Sequence, residues 1–340
     1  MIKLAIVGVG WAGSRHVEAI RELGEKVEVA CLVDNDADFL GEKASEFGIE
    51  KTYTNLSDAL NDPDVDAVDI CSPHHLHCEQ AVVAAQAGKH VLVEKPMATT
   101  VEEATRMMDA ADQNGVKLYV AESAVYTPMA QMLREIVQTG QHIGEVVSAS
   151  FAGGFRAPNF AYPGRRDWLT RPNVGGTGTW TLHGIHSMAQ LRYILGEVKT
   201  VYMQEFHAQS FERPDIEGTM SGILTMENGF LVSILQTCEV RLKNPLGGYE
   251  IRGDQGVIRA MADGCQIFPS DGEPFSIEYS EATLSEYALE LAAFADYVAA
   301  GKEGPTDAVS ERRSLSVIQA GYESAEYGGP VNLRERFGNL

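Results

Sequence analysis

Through the first third of the chain, short unbroken apolar runs alternate with longer stretches in which apolar residues return every three or four positions. The runs, at 4–7, 27–33, 65–71, 90–93 and 116–121, are rich in Val, Ile and Leu. Continuous rather than alternating apolarity marks strands buried on both faces, as in a parallel sheet covered by helices. The stretches between them, 12–23, 37–47, 75–87 and 101–114, carry Ala, Leu, Val and Met at helical spacing, and Gly24, Gly48, Gly88 and Gly115 follow their ends. This repeated strand–helix–strand order predicts a doubly wound α/β (Rossmann) domain over residues 1–122.

Past about residue 126 the texture changes. A helix at 128–139 leads to a long strand at 146–155, then to a loop rich in Arg, Pro and Gly at 156–178 and a helix at 182–195. From 198 to 279 the period shortens. Strands at 201–209, 217–226, 230–238, 248–252 and 256–260 are separated by Glu-Asn-Gly, Asn-Pro-Leu-Gly-Gly and Gly-Asp-Gln-Gly turns, which suit hairpins. Helices at 284–300 and 309–327 close the chain. Residues 123–340 are thus expected to form an α+β domain on a large, mostly antiparallel, open-faced sheet. A sheet covered on one face only leaves the other for a partner, and the alternating Val, Ile and Leu of 222–235 predict a homodimer or homotetramer.

Composition narrows the function. A chain of 340 residues, 44% hydrophobic and 22% charged, suits two soluble globular domains. With 27 Lys+Arg against 48 Asp+Glu the formal charge is −21, and no basic run concentrates positive charge. Such a surface repels phosphate backbones and anionic lipid, so neither nucleic acid nor membrane is expected as a partner. The apolar start is shorter than the ~20 residues a membrane span needs and runs straight into glycines, so the expected compartment is the cytoplasm. Cys31, Cys71, Cys78, Cys238 and Cys265 form no C-x-x-C pair and read as free thiols in a reducing compartment.

The chemistry concentrates after the strands of the first domain. The first strand ends in Gly8-Val9-Gly10-Trp11-Ala12-Gly13, a G-x-G-x-x-G between strand and helix. One glycine permits the turn, one lets backbone approach a pyrophosphate, and one lets helix pack on strand. The helix start then offers free N–H groups and a positive dipole end to phosphates. Asp34 ends the second strand, where it would accept from ribose hydroxyls and repel a 2′-phosphate. The following Asn35-Asp36-Ala37-Asp38 offers no cation to attract that phosphate, so NAD is favoured over NADP. Two later segments exit parallel strands on the same side: Cys71-Ser72-Pro73-His74-His75-Leu76-His77 and Glu94-Lys95-Pro96. A Lys at the mouth of an apolar strand is costly unless paired or used, and the proline aims it.

With these motifs the chain resembles the glucose–fructose oxidoreductase, inositol dehydrogenase and MocA-type family of nicotinamide-dependent oxidoreductases. The matching pieces are the glycine turn, Asp34, Ser72-Pro73-x-x-x-His77, Gly88-Lys89-His90-Val91, Glu94-Lys95-Pro96, and Gly175-Gly176-Thr177-Gly178 leading to His186. The resemblance spans essentially the whole chain. It implies cofactor contacts from Gly8, Gly10, Trp11, Ala12, Gly13, Asp34, Asn35, Ser72, His74, His77, Glu94 and Lys95. It also implies that Lys95 sits beside the nicotinamide and the reacting carbon, with His186 as its catalytic partner. There are departures. His74 stands where the family has Asn, Leu182 where it has an Asp before the cleft His, and Ala124 where many relatives have Arg. His183 is a candidate polar partner for His186, and Glu122 a candidate polar group in the substrate pocket.

The expected reaction is reversible hydride transfer between a secondary alcohol carbon and nicotinamide. Lys95 would hold the reacting oxygen, and His186, with an ordinary pKa of ~6.5, would exchange the proton. The loop bearing Arg156, Arg165, Arg166 and Trp168, together with Trp180, suits a small-molecule substrate of the sugar, cyclitol or polyol class. An anionic dihydrodiol or hydroxy-semialdehyde held by Arg is the alternative substrate. A non-catalytic NAD-binding regulator is the alternative of a different class. The histidines at 74, 75, 77, 183 and 186 suit hydroxyl contacts better than a metal, and none is expected.

Overall fold

The five apolar runs and one further short segment pair as parallel strands in a computed structural model of the chain. The structure describes residues 1–154, 167–170, 178–207, 216–243 and 246–339. Its first elements are β1 (Ile2–Val7), α1 (Trp11–Ile20), β2 (Val27–Val33), α2 (Ala37–Phe47), β3 (Thr52–Tyr53), α3 (Leu56–Leu60), β4 (Ala67–Ile70), α4 (His74–Gln86), β5 (His90–Glu94), α5 (Val101–Asn114) and β6 (Leu118–Ala121). The strands lie in the order β3-β2-β1-β4-β5-β6, all parallel. Strand order reverses between β1 and β4, and the crevice beyond the carboxyl ends of strands at such a reversal is where doubly wound sheets bind ligands.

Local chemistry explains the boundaries. Asp36 caps α2 by accepting from the Phe39 amide, and Thr100 caps α5 by accepting from the Glu103 amide. Gly48 and Gly115 end those helices in the left-handed region, at φ 69° and 66°. β4 and β6 are buried along their whole length, as expected for strands covered on both faces. The short β3–α3 segment has no apolar run and was not expected from the sequence.

The chain divides into two compact units. The first is wider than the expected 1–122: it takes in a segment that includes Trp168 and also Thr283–Arg312. The reason is apolar. Ala288, Leu291, Phe294 and Ala295 join the core formed by Ile2, Leu4, Val17 and Ile20, and Lys26 pairs with Asp296 at 3.0 Å.

The second unit is built from α6 (Pro128–Thr139), β7 (Val146–Gly154), α7 (Thr179–Leu182), α8 (Gly184–Leu195), β8 (Val198–Phe206), β9 (Thr219–Met226), β10 (Leu231–Thr237), β11 (Gly248–Gly253), β12 (Gly256–Ala260), β13 (Gly264–Pro269) and β14 (Phe275–Glu278). The helix α9 (Glu286–Ala300) belongs to the first unit, and α10 (Ala308–Tyr327), β15 (Val331–Asn332) and α11 (Leu333–Phe337) complete the chain. The nine-stranded sheet has the order β14-β13-β12-β11-β7-β10-β9-β8-β15, and only the β7–β10 pair is parallel. One face buries Met220, Leu224, Val232 and Ile234 beneath Leu133, Met188, Leu191 and Val317. On the other, Ile223 and Leu231 are half exposed, at 45% and 50%. Among the described residues, no helix is long and apolar enough to cross a membrane.

Candidate functional site

The turn after β1 shows each glycine under a different constraint. A Cβ on Gly8 would lie 2.9 Å from the Cys71 carbonyl oxygen, at a φ of 88°. One on Gly13 would collide with the Gly8 carbonyl oxygen at 2.2 Å, so α1 packs on the strand only through a glycine. Gly10 has nothing within 4 Å of its Cβ position, and the start of α1 has no side-chain cap. An open backbone position at an uncapped helix start is the cradle a pyrophosphate fills. Asp34 fits the other end of a dinucleotide. It is 6% exposed, and its carboxylate accepts from the amides of Val9 (3.3 Å) and Asp36 (3.1 Å), which fixes its orientation. Trp11 is half exposed with the Arg15 guanidinium 5.8 Å over its ring, and Asn35 is exposed.

A second layer forms where α4 and the end of β5 meet. His77 is fully buried with one ring nitrogen 2.8 Å from the Ser72 carbonyl and the other 3.0 Å from the Pro96 carbonyl. Burial presses this imidazole toward its neutral form more strongly than the two carbonyls raise it. It braces the Ser72 loop against the Lys95–Pro96 exit, and it has no exposed surface of its own. The Ser72 hydroxyl donates to Gln80 at 2.5 Å. His74 is 6% exposed, edge-on to Trp168 at 4.7 Å and to His77 at 5.6 Å. The Glu94 carboxylate accepts the Lys95 amide at 2.9 Å, the Lys95–Pro96 peptide is cis, and the Lys95 side chain is half-buried.

Behind this layer lies a buried group that the motifs did not single out. His16, on the inner side of α1, has Nδ1 2.7 Å from Asp69 of β4 and Nε2 3.5 Å from both Glu94 and Glu290 of α9. Burial works against charge on this imidazole, but Asp69 and Cys71 outweigh it and hold its pKa well above the ordinary value. Burial, reinforced by Glu94, Glu122 and Asp69, pushes the Glu290 carboxyl far up. Glu122 is itself fully buried here. The available signal was Asp69, an acid inside an apolar run. His16, Asp69 and Cys71 also lie close enough to invite a metal. The 2.7 Å His16–Asp69 contact is a hydrogen-bond distance, and burial drives the Cys71 thiol far up and neutral, so the set suits hydrogen bonding better than ligation.

In the second unit the expected helix 182–195 begins earlier and is interrupted. His183 is the junction between α7 and α8, and the neighbouring Gly184 packs so tightly that a Cβ there would meet the Trp180 ring at 2.8 Å. His183 and His186 are half-buried and Leu182 is buried. Trp180 is wholly buried and donates Nε1–H to the Ile318 carbonyl at 3.0 Å, so it packs the core, leaving Trp168 as the candidate sugar platform. Glu217, another residue not anticipated, accepts from the Trp180 amide (2.8 Å) and the Tyr322 hydroxyl (3.0 Å), and burial pushes its carboxyl up to about 7. Arg156, Arg165, Arg166, Gly175, Gly176 and Thr177 lie outside the described residues.

Comparison with known proteins agrees with the resemblance. Residues 2–122 match the GFO/IDH/MocA model described as an oxidoreductase family with an NAD-binding Rossmann fold, and 130–259 match the GFO/IDH/MocA C-terminal domain. Levoglucosan dehydrogenase of Pseudarthrobacter phenanthrenivorans is 29% identical over 287 residues, covering 76% of this chain and 73% of its own. The 1,5-anhydro-D-fructose reductase of Ensifer adhaerens is 29% identical over 243 residues, covering 71% and 70%. A solved levoglucosan dehydrogenase in complex with NADH and levoglucosan superimposes with a TM-score of 0.86 at 22% identity, covering 98% of this chain and 99% of that one, which establishes the shared fold.

Proposed function

The chain belongs to the GFO/IDH/MocA family of oxidoreductases with an NAD-binding Rossmann fold, and on that premise we propose that it is an NAD-dependent dehydrogenase of a neutral sugar, cyclitol or related polyol. The observation that carries this is Lys95. It leaves the end of β5 half-buried, with its amide held by Glu94, in the same unit as the open glycine turn and the fixed acid Asp34. NAD bound in that turn supplies the hydride acceptor. The Lys95 ammonium donates to the reacting oxygen and stabilises the charge that develops on it. His186 exchanges the hydroxyl proton, with His183 as its polar neighbour in sequence. Ser72, His74 and Glu94 border the cofactor, with His77 acting indirectly through the backbone it braces. Trp168 serves the substrate side, as does Arg166, while Glu122, expected there, is wholly buried beside Glu290. Two relatives named for anhydrosugars, matched over 76% and 71% of this chain, support a sugar substrate.

The half-exposed Ile223 and Leu231 on the outer sheet face support self-association as a dimer or tetramer. The activity is tested by following NADH absorbance with a panel of sugars, anhydrosugars and cyclitols. Lys95→Met should lower kcat about 100- to 1,000-fold while NAD affinity stays within about threefold. Tight NAD binding with no oxidation across the panel would support a sensor instead.

A further inference from the structure

We infer that His16 is a positioning residue for Lys95, acting through Glu94. The inference rests on the role proposed for Lys95 but adds a group that touches neither substrate nor cofactor. Its imidazole hangs from α1, the helix that opens with the glycine turn. Asp69 of β4 grips Nδ1 at 2.7 Å, and Nε2 faces the nearer Glu94 oxygen at 3.5 Å. The other Glu94 oxygen accepts the Lys95 amide at 2.9 Å. A continuous path thus runs from the dinucleotide helix through an imidazole and a carboxylate to the backbone of the lysine.

Burying so many ionisable groups is expensive, and well-packed apolar residues of similar volume generally do as well or better for stability alone. The groups facing His16 are Asp69, Cys71, Glu94, Tyr287 and Glu290. Three of these are carboxyls, and His16 is the cation among them. Its raised pKa agrees with that part, since Asp69 and Cys71 outweigh the burial that opposes charge. Among the described residues, Nε2 makes no hydrogen bond and neither Glu290 oxygen has one. The imidazolium therefore stands between two carboxyls as a charge and a spacer, with its one tight bond on Asp69. If it is removed, Glu94 loses its buried counter-charge and holds a proton to higher pH. A protonated Glu94 is a poorer acceptor for the Lys95 amide, and the lysine loses its fixed backbone.

The test uses the full-length chain and two variants, His16→Gln and Asp69→Asn. The second alters no helix packing and keeps the test decisive should the first fail to fold. The expected results are a kcat about tenfold lower with KM for NAD within about threefold, and an acidic limb of kcat/KM moved up by about one pH unit. Hydrogen exchange read by mass spectrometry should also show the Lys95 amide exchanging about tenfold faster, with protection elsewhere unchanged. A variant whose pH profile and Lys95 exchange match the wild type, whatever its melting temperature, would reduce His16 to a core residue and overturn the inference. Failure of the wild type to oxidise any sugar would refute the proposed activity separately. The Lys95 exchange rate needs no turnover and would still decide the role of His16.

Discussion

Replacing Glu217 with Gln should make the protein more stable at alkaline pH and leave it nearly unchanged at pH 5. The carboxyl is 4% exposed, and in the folded chain it titrates at about 7 rather than the ordinary 4.5. Between those values the folded state keeps a proton that the unfolded chain releases. The stability conferred by the neutral acid is therefore complete below pH 4.5, falls as pH rises, and is lost above 7. At about 1.4 kcal/mol per pH unit, the displacement amounts to about 3 kcal/mol. Gln keeps an acceptor for the Trp180 amide and the Tyr322 hydroxyl but carries no charge at any pH. Thermal melts of both proteins from pH 5 to 9, read by tryptophan fluorescence, isolate the effect, because every other titrating group cancels in the difference. At roughly 2–4 °C per kcal/mol the variant should melt up to about 6–12 °C higher above pH 7.5, with the gap closing toward pH 5. A gap independent of pH would show that Glu217 does not carry the proton and would refute the reasoning.

The remaining predictions concern the cofactor turn. Asp34→Ser removes a charge-assisted acceptor and the repulsion of a 2′-phosphate, so kcat/KM for NAD should fall roughly 10- to 100-fold while that for NADP rises. An unchanged ratio would remove Asp34 from cofactor selection. Gly13→Ala should destabilise the fold by about 2–3 kcal/mol, because its Cβ meets the Gly8 carbonyl at 2.2 Å. Gly10→Ala, with open space around it, should melt within about 2 °C of wild type and lose NAD affinity at least about tenfold. Titration calorimetry showing intact NAD binding by Gly10→Ala would place the pyrophosphate elsewhere.

The parallel sheet was legible because buried strands leave continuous apolar runs and the glycine turn has a fixed place after the first of them. The second sheet was legible from its hairpin turns. Lys95, Asp34 and Glu94 were visible as charges at strand ends, where the local pattern has no structural need of them. His16 and Glu290 were not visible, because each sits on a helix whose sequence also supplies ordinary apolar neighbours, and their meeting depends on α9 returning from the far end of the chain. The same long-range packing explains why 283–312 clusters with the first unit although it lies far beyond residue 122 in the sequence. Glu217 was hidden at the edge of a strand, and only its burial against Trp180 and Tyr322 gives it a shifted titration.

The docking of α9 onto α1 carries a consequence for synthesis and for engineering. As the ribosome emits the chain, the amino-terminal sheet is complete long before the helix that covers Ile20 and Leu4 emerges, so the nascent half waits with a greasy flank uncovered. A chimaera that exchanges the cofactor half between relatives by cutting near position 122 would separate α1 from its lid and Glu290 from His16. Grafts that carry 283–312 along with the first segment should yield soluble protein where simple cuts precipitate.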